Sequence, residues 1–417
     1  MSNQLNVVEL FAGVGGFRLG LEKADASFFK TVWANQWEPG KKVQHAYDCY
    51  ASHFKTDDNN LDDINNEDIS TIENSVFERL NIDLLVGGFP CQDYSVARTL
   101  SGEQGIKGKK GVLFWEIKRI IENSHPQYVL LENVDRLIKS PAKQRGRDFA
   151  VMLAVFRDLD YIVEWRVINA SEYGNAQRRR RVFIFAYKKN LDYAEQQMSL
   201  PTDDLLFKDG FFARTFPVKE TAFKGRNEKD QKLPEDVVEI SDHYSFQFHT
   251  AGIMIDGVFH TVQPEAKEPA PIALKNKLLP EEKVEEEYYL KEAEIEKFDY
   301  LRGSKKIERI SKDGHKYIYA EGGMSPVDDV DLPGRTMLTS EGSINRSTHV
   351  VEVDGRKRYL TPIECERLNG FSDNWTFGMP KRMRYFCMGN ALVVDLIKDM
   401  GERIKEIALV EKKKPCN

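Results

Sequence analysis

Cysteine is scarce in this 417-residue chain: Cys49, Cys91, Cys365, Cys387 and Cys416 are five in all, an odd number with no C-x-x-C spacing. Neither a disulfide framework nor a zinc site is indicated, and free thiols are expected. No stretch approaches the roughly eighteen apolar residues of a membrane span, and "MSNQLNVVELFAG" lacks the basic, apolar and small-residue succession of a signal peptide. These absences predict a cytoplasmic protein without membrane contact. The dinucleotide fingerprint G-x-G-x-x-G is missing too, because "FAGVGGFR" puts Arg18 where the third glycine would stand. Another nucleoside cofactor is favoured over a dinucleotide. None of the eight histidines sits in a motif that would make it the orienting base of a cysteine, which argues against a thiol hydrolase.

A basic balance is also lacking: the net charge is -6. Its distribution matters more than its sum. The stretch "EEKVEEEYYLKEAEIEKFD", residues 281–299, holds nine acidic and three basic residues, so the rest of the chain is about neutral. Basic clusters remain at "KGKK" (107–110), "RLIKSPAKQRGR" (136–147) and "RRRR" (178–181).

What is present is a rhythm. In the first half, apolar runs alternate with amphipathic segments: "NVVELF" then "FRLGLEKA", "IDLLVGGF" then "LFWEIKRIIENS", "QYVLLENV" then "DFAVMLAVFRDL". Strands joined by crossover helices predict an α/β, doubly wound sheet. "YIVEWRVINA" and "RVFIFAY" follow without a helix between them, as two strands joined tightly would. From about residue 190 the pattern stops. Three Asp-Gly pairs lie inside alternating stretches, "GIMIDGVFHTV", "RISKDGHKYIY" and "VVEVDGRKRYL", each a hairpin signal. The expected organisation is a catalytic domain over 1–189, a smaller β-rich domain over 190–371, and a C-terminal segment, 372–417, whose amphipathic helix returns to the first domain.

Ligands of open α/β sheets bind beyond the carboxyl ends of the strands. "VVELFAGVGGF" ends in a glycine loop, "IDLLVGGFPCQ" in Pro90 and Cys91, and "YVLLENV" in Glu132 and Asn133. A glycine loop lets backbone pass close to a ligand, and a thiol at such an edge is reactive only if a cation or helix terminus activates it. In "QRRRRV", Arg179 and Arg181 would share one strand face and Arg178 and Arg180 the other.

In this order, "VVELFAGVGGFRLGLE", "GGFPCQDYS", "LLENV", "EYGNAQRRRRVFIFA", "RYLTPIECERLNGF" and "MGNALVV" resemble the DNA (cytosine-5) methyltransferases of bacterial restriction–modification. The resemblance implies a Rossmann-like, S-adenosylmethionine-dependent methyltransferase fold with a mixed sheet, and a β-rich target-recognition domain. It makes Cys91 the nucleophile that adds to carbon 6 of a cytosine flipped from its duplex, with Pro90 fixing its approach beside the cofactor. Glu132 would hold a proton on ring nitrogen 3, and Arg179 and Arg181 would orient the base and the glutamate. Residues 93–108 match the loop that closes over the base. For the cofactor it implies Phe11 and Trp37 against adenine, Gly13, Gly15 and Gly16 along the methionine side, Asp63 and Ile64 at the adenine edge, and Leu113 and Asn390 as further contacts. One position departs from the family: Gln36 precedes Trp37 where an acidic residue usually grips the ribose hydroxyls, and Glu38 is an alternative.

The implied partner is double-stranded DNA, with a possible cognate restriction endonuclease and the chain itself a monomer. Base contacts are expected near Arg335 and Arg346 in "PGRTMLTSEGSINRSTHVV". Two alternatives are a transfer-RNA cytosine methyltransferase, disfavoured by "PCQ" and a long recognition region, and a DNA-binding regulator without catalysis, disfavoured by intact "PCQ", "ENV" and "QRRRR".

Overall fold

The computed structural model describes residues 4–55, 63–89, 113–219, 230–311 and 313–411, and these fall into two compact units. The first runs through Tyr173, resumes over Arg180–Pro269 and takes up the chain again from Val394. The second consists of Gly174–Arg179 and Ala270–Val393.

The first unit is built on one sheet. Its strands are β1 (Leu5–Leu10), β2 (Phe29–Asn35), β3 (Ile64–Asn65), β4 (Leu84–Gly88), β5 (Tyr128–Val134), β6 (Tyr161–Asn169), β7 (Arg180–Lys188), β8 (Gln231–Lys232), β9 (Ala251–Ile255) and β10 (Val258–Val262). The order is β3-β2-β1-β4-β5-β7-β6-β9-β10-β8. The half from β3 to β5 is parallel, and from β5 onward every neighbour is antiparallel. The parallel strands are apolar on both faces because helices cover both. Val8, Leu10, Val129 and Leu131 pack with the helices Leu113–Ser124 and Arg147–Asp158 in one large core. On the other face, the helix Gly16–Asp25 meets the C-terminal helix Val394–Glu411 so closely that a Cβ on Gly20 would lie 2.5 Å from Ile397.

All three Asp-Gly pairs turn hairpins, and the conformation is visible at Asp256 (φ 52°) with Gly257 (φ 77°) and at Asp354 (φ 50°) with Gly355 (φ 77°). The first hairpin departs from expectation in its place. β9 pairs with β6, and Gly252 there leaves room for the Trp165 ring, which a Cβ would approach to 2.1 Å. Residues 190–219 and 230–269, expected in the recognition domain, therefore belong to the first unit. The C-terminal return differs as well: it begins at Val394, not 372, and residues 372–393 belong to the second unit.

The second unit holds two separate two-stranded sheets, β11 (Lys305–Ile310) with β12 (Lys316–Glu321) and β13 (Val350–Val353) with β14 (Arg356–Tyr359). Phe298, from the acidic segment's helix Glu292–Arg302, packs with Val350 and Tyr359. Arg358, fully buried, is neutralised by Glu281 at 2.8 Å and Glu364 at 2.9 Å. In "TPIE", Thr361 and Glu364 form the capping box that starts the helix Pro362–Leu368. Among the described residues, no helix is long and apolar enough to cross a membrane.

Candidate active site

Strand register places the sequence's unusual residues along one edge of the first unit. Asn65, Asn35, Leu10, Gly87 and Leu131 are successive partners across β3, β2, β1, β4 and β5. Just past this row come Phe11 to Gly16, Gln36 and Trp37, Gly88 and Phe89, and Glu132. Asp63 and Ile64 arrive at the same edge at the start of β3, and Leu113 heads the helix that runs back from it to β5.

The glycine loop is held in an unusual shape. Phe11 has φ 54°, a left-handed conformation uncommon for an aromatic residue and costing about 1–2 kcal/mol. The following Ala12 N–H, bonded to Asn35 O at 2.9 Å, ties the loop to the end of β2. Gly15 has φ 91°, and a Cβ there would lie 2.3 Å from the Phe54 ring. At Gly13, also left-handed, a Cβ would meet nothing within 4 Å, so the backbone there faces open space. Gly13 N–H donates to Gln36 Oε1 at 2.7 Å. The amide oxygen is thereby occupied, and Gln36 offers its NH2 as the donor end. A nucleoside cofactor with hydroxyl acceptors fits the chemistry of this edge: open backbone at Gly13, half-buried aromatics in Phe11 and Trp37, and an amide donor in Gln36.

At the end of β5, Glu132 is 9% exposed, and its Oε1 lies 2.8 Å from Arg181 Nε. Arg181 reaches it diagonally, since it pairs with Val134, two residues on. That ion pair is not directed as a hydrogen bond, so a buried carboxylate oxygen is left without an aligned donor. Glu132 Oε2 sits 3.4 Å from where a Cβ on Gly88 would be, which puts the carboxylate against the end of β4. Asn133, 2% exposed, donates from Nδ2 to Phe89 O at 2.8 Å. It thereby fixes the last described carbonyl before Pro90. This link was not foreseen, although "ENV" next to "GFP" is its signal.

Pro90 and Cys91 themselves lie outside the described residues, as do 93–108. Arg179 belongs to the second unit and Glu132 to the first. Arg179 is 1% exposed, and its guanidinium donates to Met337 O at 3.1 Å and Gly389 O at 2.9 Å. The segment Gly174–Arg179 leaves the sheet before β7 begins, so the strand alternation expected to aim Arg179 with Arg181 does not reach it. Asn390 ends the helix Lys381–Asn390 of the second unit and is exposed.

The arginines expected to touch bases are occupied too. Arg335 is paired with Asp328 at 2.5 and 3.1 Å and donates to the carbonyls of Ser347 and Thr348. Burial alone would raise the Asp328 carboxyl, but the Arg335 guanidinium and its other cationic neighbours hold it well below the usual carboxylate range. Arg346 is paired with Glu321 at 2.8 Å.

A further buried acid stands beneath the glycine loop. Glu9 is 1% exposed, accepts from Tyr50 OH at 2.9 Å, and is pushed up to about 7 by burial, against the lowering influence of Tyr50 and Arg18. Arg18, in the place of the absent third glycine, lies 4.4 Å over the Phe54 ring and pairs with Glu22 at 2.7 Å.

Comparison with known proteins agrees with this geometry. Residues 5–406 match the family described as C-5 cytosine-specific DNA methylase. The type II methyltransferase M.Sau3AI of Staphylococcus aureus is 55% identical over 405 residues, covering 97% of this chain and 96% of that protein. M.HhaI of Haemophilus parahaemolyticus is 24% identical over 403 residues, 96% and 94% of the two chains. In fold, the crystal structure of S. pombe Dnmt2 methyltransferase superposes with a TM-score of 0.58 at 15% identity, covering 95% of this chain and 96% of that one. The chain belongs to the C-5 cytosine-specific DNA methylases, enzymes that methylate cytosine in DNA.

Proposed function

We propose that this enzyme is the methyltransferase of a type II restriction–modification pair, acting as a single chain on one short duplex sequence through a covalent adduct of Cys91. The observation that carries the site assignment is the Glu132–Arg181 pair beside Gly88 and Phe89. C-5 DNA methyltransferases depend on S-adenosylmethionine in general; here Phe11, Gly13, Gln36, Trp37, Asp63 and Ile64 would hold it. When bound, it supplies an electrophilic methyl group.

The chain's own residues do the rest. The Cys91 thiolate adds to carbon 6 of the flipped cytosine, which makes carbon 5 electron-rich. The Glu132 carboxyl holds the proton on nitrogen 3. Arg181 fixes the carboxyl's orientation. After carbon 5 is methylated, its proton passes to water and the electron pair of that C–H bond expels the thiolate. Asn133, by gripping Phe89 O, positions the segment that carries the nucleophile.

The direct test is to incubate the protein with duplex DNA and S-adenosylmethionine and sequence the methylated positions. 5-Methylcytosine at one short recurring sequence is expected. No cytosine methylation, or methylation of RNA alone, would overturn the reading.

A further inference from the structure

The hairpin of β11 and β12 is largely exposed. Its strands pair from Lys305 with Glu321 to Ile310 with Lys316. One face carries Lys306, Glu308, Ile310, Lys316, Ile318 and Ala320; the other carries Lys305, Ile307, Arg309, Tyr317, Tyr319 and Glu321. Neither face is covered: Ile310 is 67% exposed, Ile318 64% and Tyr317 44%. A two-stranded ribbon is marginal alone, and among the described residues this one is secured at its root. Arg346 pairs with Glu321 and donates to Gly322 O, and Lys305 donates to Leu301 O at 3.2 Å. These bonds tie the ribbon's base to the end of the helix Glu292–Arg302 and leave its two faces bare.

The bare faces have the chemistry of a nucleic-acid contact. On the first, two exposed isoleucines lie diagonally, Ile310 opposite Lys316 and Ile318 opposite Glu308, with Lys306 at the root end, so the face carries two lysines and one glutamate. On the second, Arg309 lies 4.0 Å over the Tyr319 ring. The ribbon follows the strongly acidic segment 281–299, yet its projecting part is cationic, with Lys306, Arg309 and Lys316 against Glu308 and Asp313. A two-stranded ribbon fits the major groove, which is about 12 Å wide and whose apolar feature is the thymine methyl group. Arg335 and Arg346, the other candidates in this unit, are committed to ion pairs.

Resting on the DNA-methylating reading above, we propose that the β11–β12 ribbon is a sequence-reading element laid in the major groove. The face of Lys306, Ile310, Lys316 and Ile318 is turned to the duplex, with the lysines on phosphates and the isoleucines against thymine methyls. Arg346 is the positioning residue that aims it.

The test compares the full-length protein with K306E/K316E and with I310S/I318S on the duplex it methylates. For the lysine pair, the expected result is a KM for DNA raised about 10-fold or more, kcat at saturating DNA within about 2-fold, and a salt dependence shallower by about two released counterions. For the isoleucine pair, deoxyuridine in place of thymine should weaken binding by the unaltered protein and leave the variant's binding unchanged. A photocrosslinking residue at position 318 should attach to DNA. Unchanged KM and salt slope, or crosslinking only to a second copy of the chain, would overturn the proposal. Should the unaltered protein methylate no duplex, the enzymatic reading fails; should it methylate normally while the variants match it, only the ribbon's role fails.

Discussion

Gln36 accepts a hydrogen bond from the Gly13 N–H at 2.7 Å, so the residue that replaces the family's usual acid is built into the glycine loop itself. Its oxygen orders the loop, and its NH2 remains a donor. Gln36→Ala should weaken S-adenosylmethionine binding about 5-fold, the worth of one net hydrogen bond of about 1 kcal/mol, with kcat at saturating cofactor unchanged. Isothermal titration with the cofactor checks this; an unaltered Kd would show that the loop does not depend on Gln36.

Phe11 offers a backbone test. At φ 54° glycine is unstrained and alanine is not. Both Phe11→Gly and Phe11→Ala should lose cofactor affinity, because both remove the ring. Phe11→Gly should nevertheless be the more stable of the two by about 1 kcal/mol in urea unfolding. The reverse order, usual elsewhere in a fold, would contradict the strained conformation.

Glu9 gives a pH dependence with a definite sign. Burial pushes its carboxyl up to about 7, above the ordinary 4.5. A group raised in this way favours folding at pH below 4.5 and loses that contribution as pH rises through 7. Glu9→Gln, which keeps an acceptor for Tyr50, should therefore gain on the unaltered protein across this window. The gain should reach about 3 kcal/mol by pH 8. Urea midpoints for both proteins at pH 5 and pH 8 measure it; a pH-independent difference would contradict the assignment.

Arg335 separates structure from recognition. Removing it leaves Asp328, 7% exposed at its side chain, with Arg302 as its remaining ion-pair partner. Discounted for the partial exposure of Arg335, Arg335→Ala should cost about 2 kcal/mol of stability. The sequence of the methylated site should not change. A changed site with stability intact would return Arg335 to the base-reading role that its polar surroundings implied.

The parallel half of the sheet was legible because its strands, covered on both faces, are continuous apolar runs with helical patterns between them. Glu132 was legible for the same reason, since it interrupts such a run at its end. The unit boundaries were not. An Asp-Gly pair announces a hairpin but not the sheet it joins, and the pairing of β9 with β6 rests on Gly252 fitting under Trp165, a contact between distant residues. Nor does composition show whether an arginine faces solvent. Arg179, Arg335 and Arg346 lie in stretches that read as sites, yet each is fixed by carbonyls or a carboxylate elsewhere in the chain.

Arg181 lies 2.8 Å from Glu132, and in the proposed mechanism the pair serves a cytosine bonded to Cys91. That bond can be weighed. On duplex DNA carrying 5-fluorocytosine at the methylated position, carbon 5 keeps its fluorine and the thiolate cannot be expelled. With S-adenosylmethionine present, intact-mass measurement should find protein and DNA joined as one species that survives denaturation, and Cys91→Ser should give none. An adduct of equal yield with serine at position 91, or no adduct with the unaltered protein under conditions where it methylates ordinary DNA, would contradict nucleophilic catalysis by Cys91.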